Sequence, residues 1–366
     1  YAHFTYQKNF YGYLYPRIVN NSENISRYLG IIKAIETDGF NSVETDMSGI
    51  GYENDWFFFQ IGRGRESWGA NEDIHLALSS KSSAYEYYML GSNYNNLKVK
   101  YFHGFLESTP EGINRYISGR GLEWSNKKSI IIGVSEIVLY SGQNRSLDFG
   151  YINPISSHLE VELNERLNVK GENGANAVWQ LNIDYLLNKK IRFSGNLLID
   201  EFIIDKEQLN NGKENGDAFS ARVSYLVLNS FKYSSSIYTS IISIGTPTFR
   251  HNNGSNNFVQ RGKPLGWEYG SDAVEIKYGL NLTKKKTLII KSDIGVRKVG
   301  EESLILRPYD KYFDYYSGVF PSGLVDKVKF YTADINWWYK KNIHFILNFQ
   351  QVKKQSFVKI GINFNI

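Results

Sequence analysis

Arginine, glycine and tryptophan alternate in Gly62-Arg63-Gly64-Arg65-Glu66-Ser67-Trp68-Gly69, the stretch of this 366-residue chain where residue types and spacing most suggest chemistry. A Gly-x-Gly can cradle phosphate, but a dinucleotide site needs it between a buried strand and a helix, and no such unit surrounds it. The better reading places Arg63 and Arg65 on one face of a strand end, pointing into an enclosed interior. There their guanidinium forks pair with carboxylates, either of the protein or of an acidic ligand. Other reactive residues form no constellation. His3, His75, His103, His158, His251 and His344 are scattered without i, i+4 pairing, and there is no Cys to complete a zinc site. Ser135-Glu136 sits in a strand-like run, without the strained elbow of a hydrolase nucleophile. Glu160, Glu162 and Glu165 offer carboxylates but no defined acid–base pair. The expectation is a protein without catalytic residues, metal or cofactor.

The elements that must hold these residues are written in alternation. Val274, Ile276, Tyr278, Leu280 and Leu282 are interleaved with Ala273, Glu275, Lys277, Gly279 and Asn281. Leu288, Ile290, Ile294 and Val296 alternate with Lys291, Asp293, Gly295 and Arg297. Ile343, Phe345, Leu347 and Phe349 alternate with His344, Asn348 and Gln350, and Val358, Ile360, Ile362 and Phe364 with Lys359, Gly361 and Asn363. A period of two marks strands. A greasy row backed by a charged, glycine-containing row suits lipid on one side and a hydrated or ion-paired lumen on the other. No run approaches the ~18 apolar residues of a membrane helix. A net charge of +5, spread along the chain, gives no nucleic-acid footprint.

The fold class expected is all-β: a transmembrane antiparallel up-and-down barrel of about eighteen strands, forming a single domain over 1–366. Strands are read near 2–18, 26–35, 41–53, 55–65, 82–91, 94–107, 115–125, 127–139 and 157–165. The others fall near 176–187, 190–203, 217–229, 231–246, 270–283, 286–299, 326–340, 342–352 and 355–366. Short turns such as 188–190 and 340–342 alternate with long loops such as 205–216, 247–269 and 300–324. Aromatic clusters at Trp56 to Phe59, at Tyr85, Tyr87 and Tyr88, and at Trp337 to Tyr339 are expected at strand ends, as interfacial girdles. The chain begins at Tyr1 with no initiator Met, so a trimmed form lacking its signal peptide is expected.

Several segments together resemble the capsule-assembly Wzi family of outer-membrane proteins. The first is GRGRESWG at 62–69. The second runs from Ser118 to Pro154, with SGRGLEW, IIIGVSEIVLYSG and YINP in order. The third is Arg261-Gly262-Lys263-Pro264-Leu265-Gly266 followed by Gly270-Ser271-Asp272-Ala273. Order and spacing carry the resemblance, over roughly 40–300. It implies an eighteen-stranded barrel in the bacterial outer membrane that attaches capsular polysaccharide or exopolysaccharide to the cell surface, without catalysis. Family members carry an N-terminal helical bundle, for which 26–38 is the only helical remnant here. The chain ends in Ile366, where many outer-membrane barrels end in Phe.

Lectin-like binding would use loops rich in Asn, Tyr, Trp and Arg at 66–80, 141–156, 247–269 and 300–324. The candidate polysaccharide-binding residues are Arg63, Arg65, Trp68, Arg145, Arg261, Trp267, Arg307, Tyr309, Tyr312 and Tyr315. Alternatively the same loops pack inward and seal the barrel. Expected partners are outer-membrane lipid and lipopolysaccharide, capsular polysaccharide and the polysaccharide export machinery. The rival function is a substrate-specific or general diffusion channel, because a barrel of this size encloses a channel-wide lumen unless it is filled.

Overall fold

Alternation becomes geometry in β11 (Gly216–Asn229), where Gly216, Ala218, Ser220 and Arg222 are buried while Asp217, Phe219 and Val223 are exposed. The same division runs through the whole sheet. In the computed structural model the described residues are 1–22, 25, 28–32, 40–71, 73–109, 111–166, 174–201, 207, 210, 212–285, 287–312, 318–353 and 355–364. Among them the N-terminal strands are β1 (Ala2–Tyr6), β2 (Phe10–Val19), β3 (Ser42–Glu53), β4 (Phe57–Gly64), β5 (Tyr85–Tyr94), β6 (Leu97–Leu106), β7 (Ile113–Ser125) and β8 (Ile130–Gln143). Then follow β9 (Ala175–Leu186), β10 (Ile191–Glu201), β11 and β12 (Tyr233–Ile244), the small hairpin β13 (Val259–Gln260) and β14 (Lys263–Pro264), and β15 (Ala273–Lys284). The last are β16 (Leu288–Val299), β17 (Asp326–Lys340), β18 (Ile343–Val352) and β19 (Gln355–Phe364).

Apart from the β13–β14 hairpin, these strands form one seventeen-stranded sheet in which each pairs antiparallel with the next. It is an all-β, up-and-down barrel wall. A strand of about twelve residues at ~3.4 Å each, tilted by ~40°, spans roughly the 30 Å of a bilayer core. The turns 7–9, 54–56, 95–96, 126–129, 187–190, 230–232, 285–287 and 341–342 all fall at one end, and the long connections at the other. Outer-membrane barrels keep short turns on the periplasmic side, which makes the long-loop end the outer one.

The strand readings near 2–18, 26–35 and 157–165 need correction. The first is divided: Gln7 and Lys8 take left-handed backbone (φ 49° and 64°), and a hairpin separates β1 from β2. Through 28–32 there is no strand, and the rest of 26–38, with its helical remnant, lies outside the described residues along with Ile366. The segment 157–165 holds helix α2 (His158–Leu163), whose first amide turn is capped by the Ser157 side chain accepting from the Glu160 N–H. Ser157-x-x-Glu160 is a capping-box sequence, and that local signal outweighs the alternation.

Two cores result, one on each face of the wall. The larger lies in the lumen and gathers Tyr85, Met89, Phe102, Ile117, Ile137, Val178, Leu198 and Ile242 around residues of the long connections. The smaller lies outside the barrel. There helix α1 (Phe149–Ile152) and α2 cover the outward residues Tyr116, Val138, Tyr140 and Ala177 of β7 to β9 with Tyr151 and Val161. Nearer the short turns the outward rows of the same strands are bare and apolar, with Leu122, Trp124, Val134 and Leu181 exposed. The lipid-facing band therefore sits toward the short-turn end of β7 to β9, and the strands continue beyond it.

Trp56, Tyr94, Trp124, Tyr233, Trp337 and Tyr339 ring the short-turn end, exposed as an interfacial girdle is. Tyr85 and Tyr87 do not belong to it, for both are buried in the luminal core at the opposite end of β5. Ile294 on β16 is an exposed outward residue flanked by the luminal Asp293 and Gly295. Ile294→Arg should cost about 2–4 kcal/mol of folding free energy in phospholipid vesicles, the range for a cation on the lipid face. Denaturant titration of the reconstituted protein measures it, and a cost near zero would remove Ile294 from the lipid face.

Candidate functional site

The connection between β4 and β5 carries an apolar row, Ile74, Leu76 and Leu78, on a backbone whose amides need partners wherever water is excluded. The inward row of the wall supplies both. Ile74 and Leu76 are fully buried against luminal side chains. The Asn196 amide accepts from the Ala70 N–H at 2.7 Å and donates to the Ala70 and Ile74 carbonyls at 3.3 and 3.1 Å. Ser220 Oγ donates to the Ile74 carbonyl at 2.6 Å, and Gln180 Nε2 to the Trp68 carbonyl at 3.3 Å. Segment 65–84 therefore crosses the lumen as a plug.

The long connection between β12 and β15 folds onto it. The Ser79 N–H donates to the Leu265 carbonyl at 2.9 Å and the Trp267 N–H to the Leu76 carbonyl at 3.0 Å. Farther along the same side of the wall Arg115 of β7, fully buried, donates to the carbonyls of Ser255, Asn257 and Val259 at 2.7, 3.1 and 2.9 Å. The connection after β16 closes over this layer, with Leu304 in the core and the Tyr309 ring 5.2 Å beneath the Arg115 guanidinium.

Ion pairs pin the plug from both sides. At the long-loop rim, Glu44 of β3 meets Arg17 at 2.8 Å and Arg261 at 2.9 Å, while Arg65 meets Asp46 at 2.5 Å. Toward the short turns, Asp73 of the plug takes Arg222 at 2.5 Å and Lys277 at 3.0 Å. Burial works to raise the Asp73 carboxyl, but the two cations outweigh it and hold its pKa below the ordinary carboxylate value.

The sequence-nominated residues fall into this frame as follows. Arg63 stands in register with Ser48 and Glu86, on the side of β4 away from Gly62 and Gly64. It bonds Glu86 at 2.8 Å and the Thr45 carbonyl at 2.8 Å, so the expected inward orientation is replaced by an outward pair. Arg65 bonds Asp46 and the Ser82 carbonyl at 2.6 Å, tying the start of the plug to its end. Trp68 is buried edge-on to Phe102, its Nε1 donating to Glu66 at 2.8 Å, and Lys100 bonds the same carboxylate. Trp267 is buried beside Tyr269. Tyr312 is buried under Arg250, and its hydroxyl is pushed up to about 12 by burial. Arg145, 2% exposed, packs over Tyr140, donates to the Ser141 carbonyl at 3.0 Å and pairs with Asp148. Arg261 bridges Glu44 and Glu107. Tyr309 accepts from the Gly262 N–H, and Arg307, 44% exposed along its side chain, pairs with Glu302 at 2.9 Å. Tyr315 lies outside the described residues. Burial leaves Trp68, Trp267, Tyr312 and Arg145 no face for an external chain and gives them instead the work of holding the loops; Arg307 keeps an open side.

The segment 118–154 builds the outer cluster. Arg120 meets Glu136 at 3.2 Å, Glu136 meets His158 at 2.9 Å, and the Tyr151 hydroxyl donates to Glu162 at 2.8 Å. Ser135 opposes Gln180 of the luminal row whereas Glu136 opposes Trp179, so the two face opposite sides of the wall. Glu160 is taken by Arg166 at 2.6 Å. Among the described residues no group of three His, Asp or Glu could hold a metal ion. Sequence reasoning missed Arg115, Asn196, Ser220, Asp73, Arg222 and Lys277. Apart from Asp73 of the plug, their signal was present as polar residues in the inward row, but the plug groups they bond are over 100 residues away.

A wall of long antiparallel strands with an apolar exterior and loops folded into its lumen defines a transmembrane β-barrel of the outer-membrane class. By sequence the chain matches no protein-family profile and no curated protein. By structure it is similar to Wzi of Escherichia coli, described as an outer membrane protein involved in group 1 capsule assembly and a carbohydrate-binding β-barrel, with a TM-score of 0.65 at 11% identity over 97% of this chain and 77% of that one. It also matches a bacterial polysaccharide outer membrane secretin at a TM-score of 0.44 and 8% identity, over 92% of this chain and 95% of that one. OpdL of Pseudomonas aeruginosa matches at 0.43 and 8%, over 89% and 82%. At 11% identity, what the chain shares with Wzi is the fold.

Gly266 is a point of close approach between the two plug segments, for a Cβ there would lie 1.6 Å from the Leu76 carbonyl oxygen. Gly266→Ala should destabilise the plug by about 1–3 kcal/mol, as overpacking does, and expose 65–84 to protease. Wild-type resistance in that variant would contradict the packing. Asp73→Asn removes the counter-charge of two cations and should cost on the order of 2 kcal/mol, reduced by its partial exposure. Because the folded pKa of Asp73 is lowered, its contribution is complete above the ordinary value of ~3.9 and is lost as pH falls through the lowered one. Tryptophan fluorescence from Trp68 and Trp267 should therefore hold steady from about pH 5 to 8 and change below about pH 4. The acid change should be smaller in Asp73→Asn, and an equal one would clear Asp73 of the effect.

Proposed function

We propose that this chain is a non-catalytic outer-membrane protein that binds and organises capsular polysaccharide or exopolysaccharide at the cell surface. The observation that carries the reading is the filling of the lumen by 65–84 and 246–272 between β4 and β16, with backbone groups of both segments bonded to the wall. A diffusion channel needs a continuous aqueous path, and these segments stand across it. Support comes also from the structural likeness to a barrel described as carbohydrate-binding. Binding would fall to the outer surface of the loop layer, where Arg307 is accessible beside the half-buried Tyr309 and a cation can meet acidic sugars. Lipopolysaccharide surrounds such a barrel, and the export machinery would deliver its ligand.

The test is conductance in planar bilayers, with and without acidic capsular polysaccharide. Wild-type protein should give no steady ion steps, and retain the polysaccharide on a sensor surface. A variant with 68–81 replaced by a short Gly-Ser linker should conduct. Reproducible steps from the wild type would overturn the reading and make the protein a channel.

A further inference from the structure

Beyond the plug, on the short-turn side, the lumen is open. A cavity of about 880 Å3 extends from Asn71 and Asp73 of the plug to Lys189 and Lys190 at the β9–β10 turn. That volume is within the ~300–1,000 Å3 of ligand sites. Its wall is cationic, with Arg192, Arg222, Lys277 and Lys291 on β10, β11, β15 and β16 and the two turn lysines at the mouth; Arg192 is itself paired with Asp184 of β9, at 2.6 and 2.7 Å. The carboxylates lining it are Asp73, Asp293 and Asp334. Asp73 is shared between Arg222 and Lys277, so two cations answer one acid. Asp293 accepts the Tyr238 hydroxyl, and Arg222 lies 3.4 Å over the Tyr238 ring, which fixes the guanidinium in place. Between the charges stand neutral hydrogen-bonding groups, Ser224, Ser236 and Asn281.

The rim repeats the charge. Its turns carry Lys8, Lys127, Lys128, Lys232, Lys285 and Lys341 as well, with Asp55 the one acid among their residues. A concave site lined by one sign within low-dielectric walls focuses potential and draws in the opposite charge. From β10 to β16 there are four strand intervals of ~4.8 Å, so the cations are spread along an arc of roughly 19 Å. That spread suits a linear polyanion better than a single phosphate, which would need a compact cluster. The serine and asparagine groups between the charges suit hydroxyls.

We propose that this cavity is a second saccharide site, opening on the short-turn side and taking an acidic oligosaccharide that bears uronate carboxylates. It deepens the polysaccharide reading above and rests on it. The barrel would then engage its ligand from both ends, with the plug between.

Trigalacturonate, titrated calorimetrically into the complete protein in detergent micelles, tests it. Maltotriose serves as the neutral comparison. Two variants address the cavity: Lys189→Glu with Lys190→Glu, which reverses charge at exposed turn positions, and Ser236→Trp, which fills the lumen. Heat-modifiable migration reports whether each still folds. The wild type should bind trigalacturonate and not maltotriose, and each folded variant should bind at least about tenfold more weakly, as expected for loss of complementary charge or of the site. Wild-type affinity in both folded variants would overturn the cavity site and leave the surface reading standing. No binding of trigalacturonate or acidic capsular polysaccharide by the wild type would overturn both. Equal affinity for maltotriose would overturn recognition by charge.

Discussion

Every peptide group placed where water cannot reach must find a hydrogen-bond partner, and this one constraint shapes both the wall and what fills it. In the wall the strands answer it by pairing with their neighbours, which is why hydrocarbon admits sheets of this kind. Inside, the described residues of the plug form little regular structure of their own: one 3-10 turn at Gly254–Asn256, the Trp68–Leu78 bridge and the β13–β14 hairpin. Its amides and carbonyls are satisfied partly by one another and partly by side chains of the inward row. Asn196, Ser220, Gln180 and Arg115 serve as surrogate strand edges, and each anchors a segment far from it in sequence. The polar inner face thus works as a template for the loops, and a lumen apolar throughout could not have held them.

The same reasoning separates the roles of arginine. Arg115 is fully buried and faces carbonyls, with the Tyr309 ring as its aromatic neighbour; it organises backbone. Arg222 and Lys277 share a single carboxylate and so leave positive potential in the space around them. Arg17, Arg63, Arg65 and Arg261 interlock with Glu44, Asp46 and Glu86 at the rim. Arginine in an interior of this kind is therefore no sign of a ligand by itself. What distinguishes a ligand-facing cation is an unequal ratio of charges beside an open volume, and that condition is met on the short-turn side of the plug.

Much of the wall could be read directly. The C-terminal strands follow their alternation closely, with 326–340 expected and Asp326–Lys340 observed, and 286–299 expected against Leu288–Val299. Their apolar rows face lipid uniformly, so local pattern and global environment agree. The reading fails where one strand face changes environment along its length. Tyr85 and Tyr87 sit in an aromatic run that reads like a girdle, yet the plug buries them. His158 to Leu163 has apolar residues at Leu159, Val161 and Leu163, a strand pattern, but Ser157 caps it into a helix lying on the outer wall. The candidate site was legible as composition and not as geometry: Trp68, Arg145, Trp267 and Tyr312 are the aromatic and cationic residues a lectin would use. Only their burial and their partners in the folded chain show that they hold loops.

The outer patch and the plug are two answers to one difficulty. Strands β7 and β8 run 13 and 14 residues, longer than the lipid-facing band they share, and their far ends carry Arg120, Glu136 and Tyr140 outward. Left bare, those ends would expose a polar and aromatic wall to the lipopolysaccharide region. With α1 and α2 packed over them, Glu136 is held between Arg120 and His158, and the Tyr140 and Tyr151 rings pack tilted with centroids 4.6 Å apart. The long-loop end of β7 to β9 is therefore packed on both faces, by the plug within and by the helices without. Packing on both faces supports the proposed role as a platform that presents loops to a large polymer, whereas a channel mouth needs its interior clear.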